Sequence, residues 1–214
     1  GMSRSGIMAW RNMTRWLAHL ESKGELLRIS EPVDVELEAG AIADRLVKSG
    51  GSAVIFEKPR LPNGEISEIP LAMNLFGTHD RTLRALGASH PTEVGERLVA
   101  LMKPDIGGIV KRPWTGLPLL RDAISMPPKK VRKGSGQRVR METDVTKLPI
   151  PKTWPMDGGR FITLPLVVTK DPNSGEHNLG MYRSQIFGPK EVGLHWQIHK
   201  HGADHAAAWP EGKM

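Results

Sequence analysis

A chain of 214 residues, 39% hydrophobic and 25% charged, can bury one large core or two modest ones. It contains no cysteine, which excludes disulfides, thiolate catalysis and cysteine-held metals and fits a reducing cytoplasm; no apolar run reaches the roughly 18 residues of a membrane span. The formal charge of +7 would suit an anionic partner, but much of the excess lies in residues 129–140, where Gly134, Ser135 and Gly136 predict a solvated loop without aromatics on which bases could stack, so no nucleic acid is expected.

Trp10, Met13, Trp16, Leu17 and Leu20 recur at steps of three and four, and residues 9–22 are expected to form an amphipathic helix ended by Gly24. Residues 25–34 read as a short strand entering a proline turn. Asp34 is the expected cap of a second helix, with Val35, Ile42, Leu46 and Val47 as its apolar stripe and Gly50-Gly51 as its stop. Residues 52–58 read as a buried strand. The Pro-Asn-Gly turn at 62–64 and a strand near residues 71–75 predict a hairpin-like pair. Asp80 is the expected cap of a short helix over 81–87, and residues 92–103 should form another with Leu98, Leu101 and Met102 inward. This alternation specifies an α/β domain over residues 1–103.

Proline enrichment makes residues 104–155 an expected extended connection. Residues 156–214 return to β register, with strands expected over 161–170, 178–187 and 192–199, joined by turns into an antiparallel meander, and a helix from Ala203. Residues 177–205 hold five of the eight histidines. On a strand, His195, Gln197 and His199 share one face and Leu194, Trp196 and Ile198 the other. His195 and His199 would then stand about 13 Å apart, too far to share an ion. They decorate the wet side of a sheet or line a pocket. His201 and His205 could chelate on a helix, but Asp204 would point elsewhere, so a self-contained zinc site is disfavoured. Arg183 sits within a predicted strand and must pair with an anion or reach water. Asn178 should face the opposite side unless a bulge intervenes near Gly180.

The motifs NLGMYR (178–183), GLHW (193–196) and HKHGA (199–203) resemble the core of the UbiD-like decarboxylases. Residues 17–45 resemble that family's opening helix, strand and helix, NLFGTHDRTLRALG (74–87) resembles its NLFG segment, and residues 148–183 resemble the entry to its cofactor domain. Matches in order from about residue 14 to residue 212 make chance agreement improbable.

The resemblance implies an amino-terminal α/β domain followed, over residues 156–214, by the first antiparallel strands of an FMN-binding split β-barrel. It implies non-oxidative, reversible decarboxylation of an aromatic or α,β-unsaturated carboxylic acid, with prenylated FMN, Mn2+ and an optional K+ as cofactors. Asn178 would be a metal ligand and His201 a second one. Thr163, Met181, Tyr182, Arg183, His195, Trp196, Gln197, Lys200 and His201 would line the flavin, and Arg183 would be the catalytic arginine that orients the departing carboxylate. The implied partners are a small carboxylic acid substrate, further copies of the chain and a flavin prenyltransferase as cofactor supplier. The family's catalytic glutamates match no residue here, so the chain is expected to be the amino-terminal part of such an enzyme, nearly inactive alone, with Gly1-Met2 the scar of a cleaved tag. The competing expectation is a flavin-binding accessory module without catalysis.

Overall fold

The computed structural model describes residues 10–103, 113–125 and 131–211. The chain divides into two compact units. One comprises Gly1–Arg28, Arg45–Ile55 and Ala72–Arg140; the other comprises Ile29–Asp44, Phe56–Leu71 and Met141–Met214.

Helix α1 (Met13–Ser22), in the first unit, begins where the Asn12 side chain accepts the Arg15 N–H at 3.0 Å. Its inward residues Trp16 and Leu20 pack with Ala53 and are flanked by Trp10, Leu26, Leu75 and Ala85. Strands β1 (Leu26–Asp34), β2 (Ala53–Arg60) and β3 (Leu71–Met73) form one sheet in that order. Helix α2 (Glu38–Lys48) connects β1 to β2. Each of β1, α2, β2 and β3 has residues in both units. Helices α3 (His79–Leu86), α4 (Pro91–Met102) and α5 (Leu117–Ser125) follow β3.

Several local expectations are corrected. Asp34 does not cap α2: it ends β1 and pairs with Arg60 at 3.0 Å, while the Glu38 carboxylate reaches back to accept the Asp34 N–H at 2.8 Å. Val35 lies before the helix, fully buried and held by backbone bonds to Arg60 and Lys152. The helix instead buries Ala39, Gly40 and Ala43, and Val47 is exposed. Thr78, not Asp80, caps α3: its extended backbone lets its hydroxyl accept the Arg81 N–H. Asp80 lies in the first turn and pairs with Arg84 one turn on. Leu98 and Met102 of α4 are exposed, and none of that helix's residues is buried. The expected extended connection contains α5; of residues 104–155, 104–112 and 126–130 lie outside the described residues.

In the second unit, β4 (Phe161–Ile162), β7 (Ser184–Gly188) and β8 (Glu191–Leu194) form a sheet in the order β4-β7-β8. Strands β5 (Leu166–Lys170) and β6 (His177–Met181) form a separate antiparallel hairpin. Two predicted strands are thus each split. Pro165 separates β4 from β5, since proline has no N–H for a ladder. Tyr182 and Arg183 separate β6 from β7, and the two strands join different sheets, so there is no single meander. No bulge occurs at Gly180; the register shift lies between Ile186 and Gly188. β8 ends at Leu194, which removes the expected face alternation of residues 194–199: Ile198 is exposed. A turn, in which the Lys200 N–H donates to Gln197, leads into helix α6 (His201–Ala208), two residues earlier than expected.

Arg160 is buried in this unit and donates to the Thr146 carbonyl at 3.2 Å and the Leu148 carbonyl at 3.4 Å. Burial holds its pKa below the usual arginine range.

Candidate functional site

The hairpin β5–β6 sets the position of Asn178. In its turn, Asp171 accepts the Asn173 N–H at 2.7 Å and the Ser174 N–H at 3.4 Å. The Asn173 backbone bond is the main reason the Asp171 carboxyl lies below its ordinary pKa of 3.8. The register that follows places Thr169 opposite Asn178 and Val168 opposite Leu179. Alternation turns Thr169, Asn178 and Gly180 to one face and Leu166, Val168, Leu179 and Met181 to the other. Met181 is therefore on the opposite side of the ribbon from Asn178, and it is exposed.

The Asn178 side is covered by the start of α6. Tyr182 is only 8% exposed; its hydroxyl accepts the Gly202 N–H at 3.1 Å and an Asn178 side-chain N–H at 3.5 Å. The Trp196 ring meets the Tyr182 ring edge-on, with centroids 4.7 Å apart. This close approach requires two glycines. A Cβ at Gly180 would meet the Tyr182 ring, 2.7 Å from Cζ, and one at Gly202 would meet Trp196 and lie 2.8 Å from the Tyr182 hydroxyl. Asn178, Tyr182, Trp196 and the first turn of α6, which carries His201, are thus gathered, with Lys200 at the helix cap.

Further along α6, buried His205 uses Nδ1 in a 3.0 Å hydrogen bond with the Thr169 hydroxyl. Among the described residues, no group of three or more His, Asp or Glu could hold a metal ion.

Arg183 and His195 meet around a second feature, a shallow cavity of about 280 Å³ lined also by Phe161, Gln185, Phe187, Gly193 and Leu194. The Arg183 guanidinium lies over the Phe161 ring, 4.8 Å from its centroid. At such an exposed position the contact contributes about 0.5–1 kcal/mol, enough to bias the arginine rotamer without neutralising its charge. No carboxylate among the described residues pairs with Arg183, which leaves its charge available to an anion. Thr163 and Gln197 are exposed, and among the described residues their side chains make no hydrogen bond. Phe161 and Phe187 escaped the sequence reading because each resembled an ordinary strand residue. Gly193 was the available signal, since a Cβ there would collide with the Phe187 ring.

Comparison with known proteins decides the family. The model of the 3-octaprenyl-4-hydroxybenzoate carboxy-lyase N-terminal domain matches residues 17–102, and that of the carboxy-lyase Rift-related domain matches residues 129–214. The chain belongs to the UbiD family. An uncharacterized protein of Archaeoglobus fulgidus is 44% identical over 198 residues, which are 92% of this chain and 40% of that protein. An evolved dimeric form of the UbiD-class enzyme HmfF from Pelotomaculum thermopropionicum, solved in complex with prFMN, is 25% identical with a TM-score of 0.62, over 86% of this chain and 38% of that one. The closed form of vanillic acid decarboxylase from Sedimentibacter hydroxybenzoicus shares the fold at 22% identity and a TM-score of 0.69, over 93% of this chain and 39% of its own. This UbiD chain therefore spans about two fifths of the length of these relatives. Its α/β amino-terminal region and antiparallel strands are those of UbiD enzymes, and none of its described helices is long and apolar enough to cross a membrane.

Proposed function

We propose that this chain forms one wall of a prenylated-FMN site in a carboxy-lyase acting on an aromatic or α,β-unsaturated carboxylic acid without net oxidation. The observation that supports it best is the convergence of Asn178 and the first turn of α6 on the Tyr182 hydroxyl, which places an amide and an imidazole-bearing turn beside each other. An amide oxygen and a neutral imidazole are donors that Mn2+ accepts, and the Lys200 ammonium would meet phosphate charge that the cation leaves. The described residues supply too few ligands for a closed metal site, which fits a cation completed by the cofactor phosphate and by further donors.

When bound, the prenylated flavin supplies the electron sink for loss of carbon dioxide. The chain's residues have different tasks. Arg183, held over Phe161 and free of carboxylate partners among the described residues, binds and orients the substrate carboxylate with two parallel N–H donors. His195 borders the same cavity, and Phe161 and Phe187 give it apolar walls that exclude water from a planar, unsaturated skeleton. Arg183 carries no exchangeable carboxyl proton, so delivery of the proton to the product belongs to an acid outside this wall.

In the same proposal, residues 156–214 are the first part of a split barrel, and the exposed apolar face of Leu166, Val168, Leu179 and Met181 is the side that the barrel covers. Optional K+, assembly into a homo-oligomer, cofactor supply by a flavin prenyltransferase and a cytoplasmic location belong to it as well. Reconstitution with prenylated FMN and Mn2+ tests it. Flavin absorbance should co-elute with the chain and be lost on Asn178→Ala or Lys200→Ala, while a panel of aromatic and cinnamic-type acids yields no more than trace carbon dioxide. Failure to retain flavin under any condition contradicts the proposal, and robust turnover contradicts the assignment of the acid elsewhere.

A further inference from the structure

We infer that Tyr182 is the positioning residue of the cation pair, a role distinct from lining the flavin, and this rests on Asn178 and His201 being the ligands. A phenol oxygen accepts two hydrogen bonds. Here the Gly202 N–H arrives at 3.1 Å and the Asn178 Nδ2 at 3.5 Å. The second, at the long limit of a hydrogen bond, holds the Asn178 amide beside the ring. With Nδ2 turned to the phenol, Oδ1 points away from it, and among the described residues no donor reaches that oxygen. An amide flipped the other way would present an N–H, which cannot ligate a cation.

The first bond places the other ligand. Gly202 directly follows His201, so the same hydroxyl fixes the helical turn that carries the imidazole. The ring itself has little freedom. It is buried, it meets Trp196 at 4.7 Å, and it lies where Gly180 and Gly202 lack a Cβ. One hydroxyl thereby couples the strand donor to the helix donor. Residues that orient metal ligands in this way typically change metal affinity about 10–100-fold when altered.

The experiment is a Mn2+ titration of the full 214-residue chain in the presence of FMN, following the loss of the free-ion electron paramagnetic resonance signal. It compares wild type, Tyr182→Phe and Asn178→Ala. Tyr182→Phe keeps the ring and removes the hydroxyl; we expect Mn2+ binding about 10–100-fold weaker and an altered bound-Mn2+ spectrum. Affinity within twofold of wild type, with Asn178→Ala abolishing binding, overturns the role of Tyr182 and leaves the metal assignment standing. Equal binding by wild type and Asn178→Ala, or none by either, overturns both.

If Tyr182→Phe does not fold, the wild-type chain answers by nuclear magnetic resonance. Tyr182 is its single tyrosine, so the ring signals are unambiguous. The two Asn178 side-chain N–H signals should be distinct and slow to exchange, with a cross-peak to that ring; a freely averaging amide overturns the inference.

Discussion

Replacing Gly202 by alanine tests whether the tight approach of α6 to Tyr182 is a structural requirement. The new Cβ would strike the Trp196 ring and lie 2.8 Å from both Cζ and Oη of Tyr182. Two aromatic rings, buried Tyr182 and half-buried Trp196, would have to move, because neither contact is with the end of a flexible chain. Overpacking of this kind costs about 1–3 kcal/mol. Displacing the phenol also weakens the Gly202 N–H bond to it, at about 0.5–1.5 kcal/mol. Against this, alanine is favoured over glycine within a helix by at most about 1 kcal/mol. The steric term wins, and a net loss of about 1–3 kcal/mol is expected. Urea unfolding monitored by near-ultraviolet circular dichroism gives the measurement, with Ala207→Gly on the exposed side of α6 reporting helix propensity alone. A Gly202→Ala chain as stable as wild type, with unchanged Tyr182 and Trp196 ring signals, would refute the reasoning.

Three further outcomes follow from the same contacts. Arg81 is 2% exposed and donates to the Gly51 carbonyl at 2.9 Å, so Arg81→Leu should destabilise the first unit by about 1–3 kcal/mol in urea unfolding, and a neutral result would contradict that bond's importance. His19 is held below its ordinary pKa of 6.5, first by burial and then by Arg84, whose guanidinium also donates to His19 Nε2 at 3.2 Å. A depressed pKa means the unfolded chain binds the proton more readily, so this stabilisation is complete above pH 6.5 and is lost as the pH falls below it. His19→Gln should flatten that part of the stability profile, and an unchanged slope would contradict the assignment. Finally, the opposed pairs Leu166–Met181 and Val168–Leu179 give the β5–β6 ribbon an apolar face whose members are each 60–67% exposed. The isolated chain should self-associate with concentration, Val168→Lys with Leu179→Glu should suppress this, and light scattering showing a monomer throughout would count against it.

The parts of the fold legible in the sequence are those governed by one strong local term. Trp16 and Leu20 on the inward face of α1, the run Ala53–Phe56 in β2 and the turn around Gly64 obey periodicity or turn chemistry. Helix caps were harder to read, because Thr78 and Asp80, or Asp34 and Glu38, are all competent side chains and backbone geometry decides between them. The strands of the second unit are shorter than their periodicity suggests: the break at Pro165 is local, since proline offers no N–H to a ladder, whereas the break at Tyr182 follows a tertiary demand. Tyr182 leaves the ladder to bury its ring beneath Trp196 and α6, an arrangement that depends on residues about twenty positions later. Strand alternation separated Asn178 from the arginine's side, whereas the break at Tyr182 is what frees Asn178 to face α6 and Arg183 to face Phe161. The split of the motif's residues between two features, the Tyr182 cluster and the Arg183 cavity, required the fold.

The most direct test of the central claim, that Asn178 and the start of α6 hold a cation bridging to the flavin phosphate, is the Mn2+ dependence of flavin affinity, measured in parallel with FMN and with riboflavin. The account predicts that Mn2+ tightens FMN binding by about fivefold or more and leaves riboflavin, which lacks the phosphate, unchanged. Equal effects of Mn2+ on the two flavins, or none on FMN, would contradict it.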